Sequence, residues 1–351
     1  MSDTTSSPAT PSDADLDVVT VGNAVVDVIA TTTDDFLAKH GLTKGAMGLI
    51  PVADAEKLYG EMGPGTEVSG GSAGNTAAGV ASLGGTVGFI GKVRDDQLGA
   101  VYAHDLGAAG VETSVTVAPN AADGGADDPS TARCLVLVTP DAERTLNTYL
   151  GIAGQIAPDD IDPAFVARGK VTYVEGYLWD TDDAKAAVTK AMDVAHGAGR
   201  QVAFTLSDGF CVDRHRSEFC DLIEERIDVV FANESEICSL FEVDGFDAAL
   251  SKLRGSRQTW VLTRSEHGSV VVADGTSVAV PAEPVRQLVD TTGAGDLFAA
   301  GYLFGHTHGL PVDVCARIGA IAAAEVISHI GARPQVPLTG PIANRGLAPG
   351  G

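Results

Sequence analysis

Aromatic residues are scarce in this sequence, at 5% of 351 residues. A core must therefore be assembled mainly from Ala, Val, Leu and Ile, with 42 glycines to allow tight turns. The length fits one large domain or two. Basic residues are scarce as well. Only 23 Lys and Arg stand against 47 Asp and Glu, a formal charge of −24, and without a basic patch neither nucleic acid nor an anionic membrane surface is an expected partner. A well solvated surface explains the acidity; a salty cytoplasm would give the same balance. Cysteine is limited to Cys134, Cys211, Cys220, Cys238 and Cys315, an odd and scattered set with no C-x-x-C pair. That excludes a zinc or dithiol redox motif and leaves reduced, mostly buried thiols. No stretch approaches 18 uninterrupted apolar residues, so no helix is expected to span a membrane. Residues 1–15 are polar and acidic with no basic segment leading into an apolar run, and they read as neither secretory signal nor transit peptide. The expected location is cytoplasmic.

What the sequence does have is alternation. Short β-branched runs, among them Val18–Val21, Val171–Val174, Val202–Phe204, Val229–Phe231, Trp260–Leu262 and Ser269–Val272, alternate with helical stretches such as Asp183–Ala198, Glu234–Phe241, Asp296–Phe304 and Val312–Ser328. That order predicts βαβ units, a mainly parallel buried sheet and helices on both of its faces. The late runs 260–262, 269–272 and Val278–Val280 predict an antiparallel edge. A second group, Met47–Pro51, Ser114–Ala118, Arg133–Val138 and Thr145–Tyr149, interrupts the order. It predicts a small separate sheet on segments of about 31–60 and 111–150, lying over the site as a lid. Residues 1–14 and 336–351, rich in Ser, Thr, Pro and Gly, bury too little to offset their ordering entropy and read as mobile tails around a folded body at 15–335. Pro119–Ser130 reads as an acidic loop.

The richest chemistry lies in Asp290–Leu303, DTTGAGDLFAAGYL. A Gly-rich turn enters a buried helix there. Backbone N–H groups of Gly293, Ala294 and Gly295 are free at such a start and the helix dipole adds positive potential, so an anion fits. Asp296 beside that anion hole is placed to take the proton of an attacking hydroxyl while the amides hold a transferring phosphoryl group. The plainer reading is an acidic residue in the first turn of a helix. Earlier, Gly70–Gly85 reads GGSAGNTAAGVASLGG and is followed by Gly91-Lys92-Val93-Arg94-Asp95-Asp96 and Gly99. It is either a tightly packed Ala/Gly helix or a surface that a ligand approaches closely, with Asn75 offering both donor and acceptor to hydroxyls. All fourteen residues of the later segment match the second signature of the PfkB carbohydrate kinases, the ribokinase-like family, and the earlier stretch resembles the first signature. The resemblance covers about residues 16–335, with the motifs in family order.

The resemblance implies a three-layer α/β/α sandwich with a mainly parallel central sheet and a small β-sheet lid. It implies transfer of the ATP γ-phosphoryl group to a hydroxymethyl oxygen, with Asp296 as base, Gly293, Ala294 and Gly295 as anion hole, and magnesium bridging phosphates. It also gives roles to other residues. Asp27, with Asn23, in GNAVVD accepts ribose hydroxyls, although an Asp there also caps a turn; Gly70, Gly71 and Asn75 join them around the acceptor. Asn233 and Glu236 of NESE stand near magnesium and phosphate, Glu236 through water, while the same pair reads as a capping box. Thr263 and Gly268 of TRSEHGS contact the nucleotide, with Ser265 where the family more often has glycine. The end of the late helix, Ile321–Ser328, and Gly331-Ala332 line the other side of the nucleotide groove. Arg144 is either a lid arginine that meets phosphate or a surface salt bridge, and Asp290 with nearby carbonyls is a candidate for potassium. Ser207–Arg216, SDGFCVDRHR, follows a strand end, where α/β proteins bind ligands, and carries no assigned role.

Two absences sharpen this. Gly91-Lys92 is not a P-loop lysine motif, and no G-x-G-x-x-G follows the first strand, which sets aside P-loop and dinucleotide folds. GNAVVD together with TRSEHGS and DTTGAGD is most similar to adenosine kinase-like members. That implies a nucleoside acceptor, adenosine first, with Phe36, Tyr149 or Tyr177 flanking the base, in a monomer or homodimer. A free sugar such as ribose or fructose is the alternative acceptor. A catalytically silent nucleoside- or sugar-binding regulator is the alternative class.

Overall fold

The computed structural model describes residues 14–120, 129–141 and 143–347. Among them fourteen strands form two sheets. In chain order they are β1 (Leu16–Val21), β2 (Val25–Thr31), β3 (Met47–Leu49), β4 (Thr66–Ser69), β5 (Val87–Arg94), β6 (Glu112–Ala118), β7 (Ala132–Val138), β8 (Arg144–Tyr149), β9 (Gly169–Glu175), β10 (Gln201–Thr205), β11 (Val229–Asn233), β12 (Thr259–Thr263), β13 (Ser269–Ala273) and β14 (Thr276–Val280). β1, LDVVTV, places valines on both faces and is wholly buried. Val18 joins the core on one side of its sheet and Val19 and Val21 the core on the other, as a central parallel strand covered by two helical layers requires.

The large sheet has nine strands in the order β14-β13-β12-β11-β10-β9-β1-β5-β6. It is parallel from β6 to β12 and antiparallel through β13 and β14, the edge that the sequence spacing predicts. The small sheet runs β3-β8-β7-β2-β4. The chain leaves the large sheet at Gly22-Asn23 and enters the small one at Val25, so Asp27 sits inside β2 rather than at the end of the first strand. One strand was expected in the wrong sheet. Ser114–Ala118 belongs to β6, which pairs parallel with β5 at the edge of the large sheet. Its alternation is the same in either sheet; the helix Gln97–Ala108 decides the matter by carrying the chain back as a crossover to lie parallel to β5.

Residues 336–347, expected as part of a mobile tail, are packed. Leu338, Ile342 and Leu347 are buried with Leu83, Leu297, Phe304 and Ile318, around the short helix Thr339–Ala343. Three apolar side chains are enough to dock a segment whose composition reads as tail. Residues 1–13, 121–128 and 348–351, which hold most of the other expected tail and of the acidic loop, lie outside the described residues. The five cysteines are free thiols, with Cys134, Cys211 and Cys315 buried. Among the described residues no helix is long and apolar enough to cross a membrane.

The helix Ala294–Thr307, which starts at the glycine-rich turn, is held in place by an unusually close neighbour, the helix Val312–Val326. A Cβ at Gly301 would stand 2.6 Å from the Gly319 Cα, and one at Gly319 would stand 2.7 Å from the Phe298 carbonyl oxygen. Backbone cannot yield as a side-chain tip can. Gly301→Ala is therefore expected to destabilise the fold by about 1–3 kcal/mol, read as a lower urea midpoint at unchanged m. Gly107→Ala, in a helix where nothing lies within 4 Å of the added carbon, is expected to be neutral or stabilising by up to about 1 kcal/mol.

Candidate active site

A cavity of about 1000 Å³ opens between the carboxyl ends of the large-sheet strands and one face of the small sheet. Asn23 reaches it from the end of β1, Glu175 from the end of β9, Ser207 and Asp208 from the loop after β10, and Asn233 from the end of β11. This is where an open parallel sheet presents ligand-binding loops. The small sheet contributes a mostly apolar wall of Val25, Ile29, Cys134, Val136 and Leu146, interrupted by Asp27 and Arg144.

Asp296 lies in the first turn of the helix that begins after Gly293, whose φ of +78° turns the chain in a conformation that suits glycine. Its carboxylate is fixed by a different helix, Ser72–Ser82. Ser72 Oγ donates to Oδ1 at 2.6 Å and Asn75 Nδ2 to Oδ2 at 2.9 Å. Burial pushes the carboxyl above its usual range, against the pull of those two donors. Among the described residues, the N–H groups of Gly293 and Gly295 find no protein acceptor. Ala294, expected to be the third free amide, donates instead to the Thr291 carbonyl at 3.2 Å. The turn that creates the anion hole consumes one of its own donors.

On the opposite wall, Asp27 is partly open to the cavity, yet burial still pushes its carboxyl up to about 7, with Arg333 and Arg144 opposing. Gly70 was expected to touch a ligand; its role is to seat this carboxylate, since a Cβ there would stand 2.5 Å from Asp27 Oδ2. Gly71, at φ +78°, lines the cavity, and a Cβ on it would collide with the Asn23 carbonyl oxygen. Glu175 is a residue the motifs missed. Fully buried, it accepts from Asn23 N and Nδ2, each at 2.7 Å, and from Ala73 N at 2.9 Å, while burial raises it to about 7. The signal available was one acidic residue closing the apolar run of β9. Because Asn23 Nδ2 and Asn75 Nδ2 are committed to carboxylates, the network assigns an oxygen to the other arm of each amide. Asn23 Oδ1, Asn75 Oδ1 and Arg144 Nη2 are all buried without a partner.

Asn233 and Glu236 form the capping box that their spacing suggests, the Asn233 side chain accepting from Glu236 N and Glu236 from Asn233 N. Both also line the cavity, and burial raises Glu236 to about 7. Arg144 is neither on the surface nor free. It pairs at 2.8 Å with Asp290, whose carboxylate also accepts from Thr292 N, Thr292 Oγ and Gly331 N. Four donors, one cationic, occupy both oxygens, so that carboxylate does not fit a potassium ligand. Thr263 and Gly268 are not brought to this cavity. Gly268 has a structural reason for its identity, since a Cβ there would collide with the Val280 carbonyl.

Of the three aromatics expected to flank a base, Tyr177 lines the cavity and donates to Asp208 at 3.0 Å. Phe36 packs at a tilt against His40 with ring centroids 4.4 Å apart, and Tyr149 lies under Arg133; neither is in the lining. The unassigned run 207–216 supplies Phe210 and Arg214, with the guanidinium 4.3 Å from the Phe210 ring centroid and hydrogen-bonded to Asp180.

Comparison with known proteins agrees with this arrangement. The chain matches the family described as pfkB family carbohydrate kinase over residues 16–338. It is similar to the crystal structure of adenosine kinase from Sinorhizobium meliloti, with a TM-score of 0.87 and 49% identity over 95% of this chain and 100% of that one. It is also similar to a probable sugar kinase protein from Rhizobium etli CFN 42, with a TM-score of 0.87 and 46% identity over 95% and 99% of the two chains. Adenosine kinase of Saccharomyces cerevisiae is 27% identical over 337 residues, 90% of this chain and 95% of the yeast protein. With its ribokinase-like sandwich, its small second sheet and this extent of match, the chain belongs to the pfkB family of carbohydrate kinases and is an ATP-dependent kinase.

Proposed function

We propose that this kinase transfers the γ-phosphoryl group of ATP to the 5′-hydroxyl of a nucleoside, adenosine first, with Asp296 as general base. The observation that carries the reading is a carboxylate fixed at both oxygens by Ser72 and Asn75, at a helix start with two unpaired amides. A hydroxyl beside Asp296 gives up its proton to the carboxylate as its oxygen bonds to the γ-phosphorus. The bond from that phosphorus to the β–γ bridging oxygen breaks and ADP leaves. The amides of Gly293 and Gly295 face the charge on the transferring group, where fixed donors contribute most.

Acceptor choice rests on the other wall. Asp27 lines the cavity, and Asn23 and Asn75, which also line it, each keep an acceptor oxygen without a protein partner, a pattern that fits a ligand rich in hydroxyl donors. The apolar side chains of the small sheet, Val25, Ile29, Val136 and Leu146, fit the flat face of a base. Two of the relatives above bear the name adenosine kinase. The second reading, a free sugar as acceptor, is supported by the neighbour named a probable sugar kinase and by the fact that, of Phe36, Tyr149 and Tyr177, Tyr177 alone is in the cavity lining. Magnesium neutralises phosphate charge when bound with the nucleotide. Glu236, buried and with both oxygens already accepting from Asn233, fits contact through water better than direct ligation.

ADP release with ATP and magnesium, measured against adenosine, other nucleosides, ribose and fructose, separates the two readings. Turnover of nucleosides is expected; turnover of ribose alone would establish the sugar kinase. Asp296→Asn is expected to lower kcat by about 10²–10⁴ at little cost to acceptor KM, and a variant as fast as the native protein would remove the base assignment. Asp27, pushed up to about 7, accepts hydroxyls best when ionised, so acceptor KM is expected to fall as pH rises from about 6 to 8. Asp27→Asn is expected to raise KM and flatten that dependence. An unchanged slope would place the titration elsewhere.

A further inference from the structure

Arg333 belongs to no motif in this sequence, yet it joins the two halves of the site. Its neighbour Ala332 packs against the turn of the anion hole, where a Cβ on Gly293 would stand 2.8 Å from the Ala332 Cβ. From there the Arg333 side chain reaches a second, shallower crevice of about 650 Å³, lined also by Ser69, Asp105 and Val336. Nε donates to the Ser69 carbonyl at 3.1 Å and Nη2 to Ser69 Oγ at 3.2 Å. Ser69 N in turn donates to Asp105 Oδ2 at 3.1 Å. Ser69 ends β4, immediately before the glycine that seats Asp27. Arg333 therefore follows Ala332 at the phosphoryl side of the cavity and is fastened through its guanidinium to the acceptor side.

The sequence makes room for this. A Cβ at Gly74 would stand 2.6 Å from the Tyr102 hydroxyl and 3.4 Å from Arg333 Nη2, so the helix Ser72–Ser82 is thinned where the guanidinium passes. Among the described residues no carboxylate closes an ion pair with Arg333, and its hydrogen bonds go to Ser69. Burial disfavours its charge, and the negative charges of Asp27 on β2, Asp296, and Asp105 on the helix Gln97–Ala108 oppose that. It opposes the effect of burial on both Asp27 and Asp296. Arg144 also opposes the rise at Asp27 and Asp290 adds to it, and Glu175 lines the same cavity.

We propose that Arg333 is a positioning residue for phosphoryl transfer, tying β4 to the turn before the Asp296 helix and supplying one positive charge shared by Asp27 and Asp296. The proposal rests on the reading of those two carboxylates as acceptor ligand and base. It also makes a demand on the free protein that needs no reaction.

That demand is tested by carboxyl-carbon NMR titration of the full chain labelled with 13C-aspartate, the two signals being assigned with Asp27→Asn and Asp296→Asn. Arg333→Gln keeps a donor for Ser69 and loses the charge. It is expected to raise both midpoints by about one unit, roughly a tenfold shift in each proton equilibrium. Arg333→Lys is expected to stay near the native midpoints. Ser69→Ala loses a hydrogen bond and no charge, and is expected to leave both midpoints in place. In turnover, the acid limb of kcat/KM against pH is expected to move with the midpoints in Arg333→Gln and to return in Arg333→Lys. A lower melting temperature for Arg333→Gln with both midpoints unmoved would reduce Arg333 to packing and overturn the proposal. So would an Arg333→Lys that titrates like Arg333→Gln. Midpoints that move in a protein that phosphorylates no acceptor would support the shared charge and overturn the functional reading instead.

Discussion

A carboxylate buried beside other carboxylates is costly unless donors are aimed at it, and the cavity of this kinase is built around that constraint. Burial raises Asp27, Glu175 and Glu236 to about 7 and raises Asp296 as well. Two of the four are met by donors from a part of the chain far from their own, while Glu236 is met by Asn233 three residues before it. Asp296 takes Ser72 and Asn75; Glu175 takes Asn23 and Ala73. The bonds that hold these groups ready for chemistry are the same bonds that hold the end of β1, the end of β9 and two helices together. The architecture and the electrostatics cannot be separated.

Glycine serves the same constraint. In the run Gly70 to Gly74 the absent side chains give room to protein groups: to Asp27 at Gly70, to the Asn23 carbonyl at Gly71, and to Tyr102 and Arg333 at Gly74. Gly22 is alike, since a Cβ there would run into Ala73 and stand 2.5 Å from Glu175 Oε2. What reads in sequence as a surface shaped for close approach of a ligand is largely a surface shaped around charged side chains. The ligand meets those side chains more than it meets the glycines.

The sequence made legible whatever is local. Alternating strands and helices, the antiparallel edge at β13 and β14, the capping box at Asn233 and the turn at Gly293 are each specified within a few residues. It hid whatever depends on distance along the chain. Asn75 and Asp296 are 221 residues apart and Asn23 and Glu175 are 152 apart, and no spacing announces such pairs. β6 shows why sheet membership is also hidden, because its alternation fits either sheet and its connection alone places it. The packed segment 336–347 shows that composition can miss three well-placed apolar side chains. Arg333 follows the same rule, a lone arginine whose role is visible only once β4 and the Gly293 turn are seen on either side of it.

The account stands on one chemical event, formation of a phosphate ester on a primary hydroxyl beside Asp296. Phosphorus NMR of the protein with ATP, magnesium and adenosine observes it directly. The account requires a new phosphomonoester signal split by two methylene protons, growing in step with ADP and dependent on adenosine. ADP accompanied only by inorganic phosphate, or an ester split by a single proton, would contradict it.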